Sequence, residues 1–477
     1  MRLRVTLHNF ATNPRNRKAR DGANFAYAEY VRILQAHEGK GIRLQIHDFK
    51  KLCTDDGYAY EILSQCDCVV SNVGPLSFIY FYMREKFHLS FRIIRDVRTA
   101  LWNGYMFQES LVYPYLRPED SVIFSSIYSR DLFRRLFPHI PPCSMFVCYP
   151  LMRSFPERSV FRGISRESKT SPIIIGYVGR LTDDKNFSQA LDLIIELQKR
   201  FPNRFCLRAI GEDLSPHYQK DYVVQKLKTE IGSAHIYEWV PPVSYSDIWN
   251  EYGKMDLLFF PSTSNLETFG RVLIEATYWG LPVLSSTHAA APELICSEAL
   301  MPTRYYTGVE FDAHLAHQLG EVDIQATVAY ILDNKTLAKS DYYTRYQDHD
   351  QLFVAIVRDG NAINDRAAQP VSTEIQNQFI QAITISDLEV LNDKASGDQI
   401  CRALCKFLAA VQDYGNTRYY ASLLHLFLIS NHKAKTLDFI KRSLTVQEDF
   451  TNVGGIDLQM SHFLKFYPHF HIDEITV

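Results

Sequence analysis

The sequence predicts an α/β protein made of two consecutive doubly wound domains that face a cleft, followed by a helical module. Short apolar runs alternate with amphipathic stretches of helical spacing through residues 1–150, and a second series of the same kind runs through residues 172–365. From about residue 370 the strand-like runs disappear and only helical periodicity remains. Two similar α/β series predict a ligand at the carboxyl ends of the strands.

The first domain, residues 1–150, is expected to hold six parallel strands joined by crossover helices. The expected strands are Leu3–His8, Ile42–His47, Cys68–Ser71, 91–94, 122–125 and 145–148, with helices near 24–36, 76–87 and 128–137. Residues 151–171 carry five basic side chains among Ser, Pro and Gly. This composition indicates an interdomain linker.

The second domain, residues 172–365, repeats the alternation. Its expected strands are Ile173–Val178, Phe205–Ile210, 235–238, Leu257–Phe260 and Val283–Ser285, and its expected helices are Phe187–Arg200, 218–231, 245–252, 269–279 and 323–332. In residues 370–477, Ile400, Leu404 and Leu408 recur at helical spacing, which predicts a small helical module of unassigned role.

Composition narrows the class of protein. The 51 Lys and Arg residues nearly balance the 54 Asp and Glu residues, so the chain lacks the basic excess typical of nucleic-acid binding. Nine irregularly spaced cysteines do not indicate a disulfide framework. The amino terminus reads as a β-strand, and no apolar run approaches the roughly 20 residues that span a bilayer. We therefore expect a cytoplasmic protein.

The most informative stretch is residues 259–283, FFPSTSNLETFGRVLIEATYWGLPV. It reads as a strand end, a polar loop, a helix that begins near residues 268–270, and a Gly-Leu-Pro turn. The loop delivers Glu267 to the carboxyl edge of a sheet, and the free amides of the helix start suit a diphosphate. Gly270 is expected to let the anion approach the backbone.

Glu275 follows Glu267 by eight positions, so two carboxylates flank the predicted anion site at different depths. Carboxylates accept hydrogen bonds from hydroxyls and repel phosphate, which favours a ligand that carries both hydroxyls and phosphates. The alternative, two solvated glutamates on a helix, is the usual interpretation of such a pair. The strand–loop–helix context and the following turn favour the binding site here.

A second motif, GYVGRLTDDKNF at residues 176–187, lies in the first strand–helix unit of the same domain. Together with the E-x7-E stretch it resembles the large retaining glycosyltransferase family of the GT-B fold, which has two facing Rossmann-like domains. Weaker matches are AIGED at 209–213, EWV at 238–240 and APEL at 291–294. They follow the family's order across roughly residues 172–296.

The resemblance implies the residue roles. Arg180 and Lys185, beside Gly179, would bind the diphosphate of a nucleotide-sugar donor and stabilise its developing charge. Glu267 would contact the transferred sugar. Three further groups of donor-binding residues are implied: backbone of Thr268, Phe269 and Gly270 for phosphate, Glu275 for ribose, and Trp239 and Val240 for the base. Two alternatives stay open, namely surface cations beside Asp183 and Asp184, and core packing of Trp239.

The first domain departs from the family pattern. Gly22 and Ala23 stand in place of a glycine pair. The run IRDVR at 94–98 replaces a common His-Asp, and its Arg95, Asp96 and Arg98 are expected in a loop that faces the acceptor side of the cleft, with an ion-paired loop as the alternative. The basic residues Arg15, Arg17, Lys18 and Arg20 offer a contact to an anionic acceptor or membrane surface, or form a solvated loop.

No metal site is predicted, because the D-x-D of Asp348, His349 and Asp350 falls in a helix-like stretch read as surface. Arg, Lys and helix amides supply the neutralising charge, so no cofactor is expected. The resemblance implies a retaining transferase that uses a nucleotide-sugar donor and a saccharide or lipid-linked acceptor, in bacterial polysaccharide or glycolipid synthesis. A non-catalytic sugar-nucleotide or glycan-binding subunit and a nucleotide-sugar epimerase remain alternatives, and a homo-oligomer stays open.

Overall fold

The computed structural model describes residues 2–9, 22–72, 87–98, 116–136, 144–150, 172–264, 266–306, 318–333 and 349–360, with the single positions 77, 80, 81, 83, 84 and 109. The basic loop at 15–20, the expected linker at 151–171 and the expected helical module at 370–477 lie outside these residues.

The first domain contains a parallel sheet. Its strands are β1 (Leu3–His8), β2 (Ile42–His47), β3 (Cys68–Ser71), β4 (Arg92–Val97), β5 (Ser121–Phe124) and β6 (Ser144–Val147), and its helices are α1 (Gly22–Ala36), α2 (Phe49–Thr54), α3 (Asp56–Ser64) and α4 (Ile127–Leu136). The strand order is β2-β1-β3-β4-β5-β6. Asp48 and Asp55 begin α2 and α3 by accepting backbone N–H bonds, as aspartate commonly does at a helix start.

The second domain contains a second parallel sheet with strands β7 (Ile173–Val178), β8 (Phe205–Ile210), β9 (Tyr237–Val240), β10 (Leu257–Phe260) and β11 (Val283–Ser285). Their order is β11-β10-β7-β8-β9. From β7 the chain moves outward through β8 and β9, then returns to β10 on the other side of β7. The gap between the ends of β7 and β10 is thus the topological switch point, where doubly wound sheets bind ligands.

Helices cover both faces of the second sheet. They are α5 (Phe187–Arg200), α6 (Lys220–Ile231), α7 (Ile248–Tyr252), α8 (Arg271–Trp279), α9 (Ala291–Leu294) and α10 (Ile324–Asp333). Both α6 and α8 end at a left-handed glycine, Gly232 and Gly280, which is the usual helix stop. A short antiparallel pair, β12 (Thr303–Tyr305) with β13 (Gly320–Val322), lies beside this sheet.

The predicted two-domain α/β fold is confirmed, and seven strands have the predicted bounds. Two strands differ in ways that affect the site. β4 runs to Val97, so Arg95 and Asp96 lie in the sheet and the prediction of a loop there was wrong. β9 runs to Val240, which places Trp239 in a strand. The helix predicted at 76–87 falls largely outside the described residues.

The last described helix, α11 (His349–Asp359), packs on the first sheet although it follows the second in sequence. Its apolar residues Phe353, Val354, Ile356 and Val357 join the core of the first domain. Asp350, predicted as a surface residue, forms an exposed ion pair with Arg32 of α1 at 3.0 Å. The chain therefore crosses between the two sheets twice.

Candidate functional site

The loop after β7 is a tight turn that presents two cations at the switch point. The backbone N–H of Lys185 donates to the Thr182 carbonyl at 3.2 Å, and that of Asn186 donates to the Asp183 carbonyl at 2.8 Å. Asn186 has a φ of 54°, a left-handed conformation that asparagine tolerates better than most residues. Its buried side-chain amide donates to Thr263 and to the Gly320 carbonyl, which holds the turn against the loop after β10.

Arg180 is paired with a buried carboxylate. Its guanidinium lies 3.1 Å from Asp184, and its side chain is 40% exposed, so part of it is accessible to solvent. Asp184 also accepts from Thr182 at 2.6 Å and from Ser264 at 2.8 Å. Burial raises the pKa of Asp184, but Lys185 and Arg180 outweigh burial and hold the pKa below its ordinary value.

Lys185 and Glu267 form the central contact of the site. The Lys185 Nζ lies 2.7 Å from Glu267 Oε2, and both side chains are mostly buried. Burial works to raise the pKa of Glu267, yet the neighbouring ammonium of Lys185 prevails and lowers it. The two motifs predicted to share a site are thus brought together across the switch point by their own charges.

His288 contacts the loop that carries Glu267. Its Nε2 is 2.9 Å from the Ser264 carbonyl, and burial lowers the pKa of its imidazole to about 4. The ring is therefore neutral at physiological pH. A neutral imidazole adds no charge to the pair of cations, and it fixes the loop that carries Glu267.

Gly270 precedes α8 and is needed for its backbone conformation. Its φ is 86°, in the left-handed region, and a Cβ built there would meet Leu273 at 3.2 Å and Phe260 at 3.5 Å. The missing side chain would point toward the protein core. The predicted reason for this glycine, close approach of an anion, is therefore replaced by the sharp turn that begins α8 at Arg271.

Glu275 is buried on α8 and already has two protein partners. It accepts from the Tyr252 hydroxyl at 2.9 Å and from the Arg271 guanidinium at 3.1 Å. Burial raises the pKa of Glu275. The resemblance implies that Glu275 contacts ribose. In that role the carboxylate would accept from a ribose hydroxyl as well as from these two protein donors.

The predicted base-binding residues lie at the end of β9. The Trp239 indole donates to the Gly211 carbonyl at 3.1 Å, and the Val240 carbonyl accepts from the Gly211 amide at 3.1 Å. A Cβ on Gly211 would lie 1.8 Å from the Gly179 carbonyl oxygen. The loops after β7 and β8 thus meet backbone to backbone, and the Trp239 indole bonds the loop after β8.

Arg95, Asp96 and Arg98 form a buried ion network instead of an exposed cleft loop. Arg95 pairs with Glu109, whereas Asp96 Oδ2 accepts from Arg98 Nε at 2.9 Å. The Asn72 amide donates to Asp96 at 2.7 Å. Because these side chains are mostly buried and pair with neighbouring charges, the expected loop that faces the cleft is corrected to the ion-paired alternative.

The loop that carries Glu267 is held from the first domain as well. The Ser126 hydroxyl, at the start of α4, donates to the Thr268 carbonyl at 2.9 Å, and the Thr268 hydroxyl donates to the Arg98 carbonyl at 3.4 Å. The ring of Phe269 is buried against Tyr149 of the first domain, with centroids 5.6 Å apart. Residues of the first domain therefore help to place this loop.

Several of these residues were not selected from the sequence. Asp184, Ser264 and Asn186 join the two loops, but each has a polar partner about 80 positions away or more. Asp184 lies inside the Gly179–Lys185 motif, and that position was the signal by which it could have been found.

Among the described residues, no cluster of three or more His, Cys, Asp or Glu side chains is arranged to hold a metal ion. In the same residues, no helix is long and apolar enough to cross a membrane.

The fold places this protein in the GT-B class. A lipopolysaccharide outer core galactosyltransferase, WaaB, superposes with a TM-score of 0.50 at 14% identity, over 75% of this chain and 99% of that one. Residues 162–335 match the family described as glycosyl transferases group 1. The matched stretch covers most of the second domain and includes Arg180, Lys185, Glu267 and Glu275.

Two curated relatives are similar over part of this chain. The D-inositol 3-phosphate glycosyltransferase of Mycolicibacterium smegmatis is 29% identical over 183 residues, which cover 38% of this chain and 37% of that protein. The protein with the same description from Thermobifida fusca is 23% identical over 150 residues, covering 31% and 32%. The chain spans about a third of the length of these two relatives.

Proposed function

We propose that this protein transfers a sugar from a nucleotide diphosphate sugar to a hydroxyl acceptor. The observation that carries the proposal is the meeting of Lys185 and Glu267 at 2.7 Å, across the switch point between β7 and β10. A cation for phosphate and a carboxylate for sugar hydroxyls thus lie side by side where doubly wound sheets bind ligands. Both residues lie within 162–335, the stretch that matches the group 1 glycosyltransferase family, which supports the proposal.

The exposed part of Arg180 and the ammonium of Lys185 would bind the diphosphate. Arg180 keeps most of its planar donor fork free of Asp184, because one nitrogen makes that ion pair and the side chain is 40% exposed. Lys185 would exchange its bond to Glu267 for one to a phosphate oxygen. The start of α8, just beyond Gly270, adds the positive end of a helix dipole.

In the proposed reaction, the bond between the anomeric carbon and the phosphate oxygen breaks while a bond to the acceptor oxygen forms. The acceptor proton passes to the departing diphosphate, and the family resemblance favours retention of anomeric configuration. Arg180 and Lys185 stabilise the negative charge that grows on the diphosphate, and Glu267 orients the sugar hydroxyls. We propose that these cations and helix amides compensate the charge in place of a divalent metal ion.

A donor screen tests the proposal. Calorimetry measures the affinity for uridine, guanosine and adenosine diphosphates and for the corresponding nucleotide sugars. One of the three nucleotides should bind most tightly. An acceptor panel of saccharides, lipid-linked sugars and D-inositol 3-phosphate should then give a glycosylated product, whose anomeric configuration NMR would report. Polysaccharide or glycolipid synthesis is the proposed context, since WaaB is described as acting on lipopolysaccharide.

Three outcomes would contradict parts of this proposal. Tight donor binding with no product on any acceptor would favour a sugar-binding subunit. Conversion of the donor sugar without an acceptor would favour an epimerase. Loss of transfer after chelation, restored by added Mg²⁺, would overturn the metal-independent charge compensation and leave the transferase assignment intact.

A further inference from the structure

Glu293 of α9 makes a buried contact across the two domains. It is 1% exposed. Its Oε2 accepts from the Ile127 amide at 2.9 Å, and its Oε1 accepts from the Tyr128 amide at 3.2 Å. The Tyr149 hydroxyl donates to Oε2 at 2.9 Å. One carboxylate of the second domain thus receives three hydrogen bonds from the first.

The two amides are the first of helix α4, where N–H groups have no acceptor within the helix and the positive end of the helix dipole lies. A carboxyl group suits this position, because its oxygens accept hydrogen bonds from N–H groups. Ser126 immediately precedes α4, and its hydroxyl oxygen also accepts from the Ser129 amide at 3.1 Å. Glu293 and Ser126 together therefore satisfy the start of α4.

Ser126 connects this contact to the candidate site. Its hydroxyl donates to the carbonyl of Thr268, the residue after Glu267. A continuous path of hydrogen bonds and backbone thus runs from Glu293 to the start of α4, then to Ser126, Thr268 and Glu267. The path leaves the second domain and returns to it, so it depends on how the two domains are placed.

We propose that Glu293 is a positioning residue, which fixes the start of α4 so that Ser126 holds Thr268 and thereby orients Glu267 toward the transferred sugar. This inference rests on the proposed function. Glu293 touches neither donor nor acceptor in this role. Its effect is on the catalytic step, whereas Arg180 and Lys185 bind the diphosphate from within the second domain.

A double-mutant cycle of Glu293→Ala and Ser126→Ala tests the path. Each single change should lower kcat about 10-fold or more, with the affinity for the preferred nucleoside diphosphate unchanged within about twofold. The double variant should be little worse than Glu293→Ala alone, because both changes break one path. Additive losses, an unchanged kcat, or a parallel loss of nucleotide affinity would overturn the proposal.

Glu251→Gln is the matched control. Glu251 is also a mostly buried glutamate, but it pairs with Arg208 and Lys254 within the second domain. This variant should keep kcat within about twofold of the unmodified protein. Glu293→Gln should retain part of the rate, since one of its two side-chain atoms still accepts from an α4 amide.

Hydrogen exchange separates this inference from the proposed function. In the Glu293→Ala variant, amides 127, 128 and 267–270 should exchange faster, and Glu251→Gln should leave them unchanged. This readout needs no turnover. If the unmodified protein transfers no sugar but the exchange pattern appears, the function fails while the positioning contact stands. Unchanged exchange at 267–270 would overturn the contact path itself.

Discussion

The Lys185 ammonium lies 2.7 Å from Glu267 Oε2, so the cation expected to bind phosphate is neutralised by the carboxylate expected to bind sugar. Under the proposed function, a donor would have to separate this pair as it binds. The two residues come from different loops, on either side of the switch point. In the proposed reaction, their contact would link occupation of the phosphate position to release of the carboxylate.

Glu267→Gln should separate these two roles. The amide keeps the size of the side chain but frees Lys185 from its ion pair, so nucleoside diphosphate affinity should be unchanged or tighter. Transfer should fall about 100-fold, as is typical when one group that stabilises the transition state is removed. Calorimetry and a product assay measure the two effects. Glu321→Gln, which removes an exposed partner of Arg304, is the control, and equal rates in both variants would contradict the role of Glu267.

Arg180→Ala should weaken binding of the free nucleoside diphosphate and of the donor sugar alike. Loss of charge-assisted hydrogen bonds worth about 1.5–3 kcal/mol corresponds to about a 10- to 100-fold higher Kd. Arg304→Ala is the matched control, because Arg304 is an ion-paired arginine that is 78% exposed. Undiminished affinity of Arg180→Ala for both ligands would remove Arg180 from the site.

Gly211→Ala should destabilise the protein much more than Gly232→Ala. Both glycines have positive φ, at 151° and 70°. An added Cβ at Gly211 would lie 1.8 Å from the Gly179 carbonyl oxygen, whereas nothing lies within 4 Å at Gly232. Gly232→Ala should cost about 1–2 kcal/mol of unfolding free energy from backbone strain alone. Urea unfolding of both variants measures the difference, and equal losses would contradict the close contact of the two loops.

Stability should fall as pH rises through the range in which Glu293 ionises. Burial raises the pKa of Glu293 from 4.5 to about 7. The amides of Ile127 and Tyr128 and the hydroxyl of Tyr149 act to lower this pKa, and Asp131 acts to raise it. The folded state thus holds this proton more tightly than the unfolded chain. The associated stability is present below about pH 4.5 and is lost as pH rises through about 7.

The loss corresponds to on the order of 3 kcal/mol at about 1.4 kcal/mol per pKa unit. Urea unfolding between pH 4.5 and 8 should therefore show a decline that the Glu293→Gln variant lacks. The Glu251→Gln variant should retain the decline. A pH dependence shared by Glu293→Gln and the unmodified protein would assign it to another group.

The sheet framework was predictable because it depends on local patterns. Apolar runs such as Leu257–Phe260 and Phe205–Ile210 have the observed bounds, since turn residues flank them. The start of α8 was placed about two residues early, because the left-handed conformation of Gly270 delays the helix to Arg271. Motif order located the loops that meet at the switch point.

The buried charges were not predictable in the same way. Charged residues are rarely buried, so Arg95 and Asp96 were read as a loop. Their burial depends on Glu109 and Asn72, which are 14 and 24 positions away. Glu293 is a stronger case, because its partners Ile127 and Tyr149 belong to the other domain. Such contacts follow from how the two sheets pack, and no local pattern encodes them.

The return of α11 to the first sheet has a consequence for synthesis of the chain on the ribosome. The core of the first domain includes Phe353, Val354, Ile356 and Val357, so the earliest part of the chain to emerge must wait for these late residues to complete its core. Domains generally fold as units during translation. We expect the second domain to finish folding first, because its sheet is complete between β7 (Ile173–Val178) and β11 (Val283–Ser285), and the amino-terminal half then becomes native last.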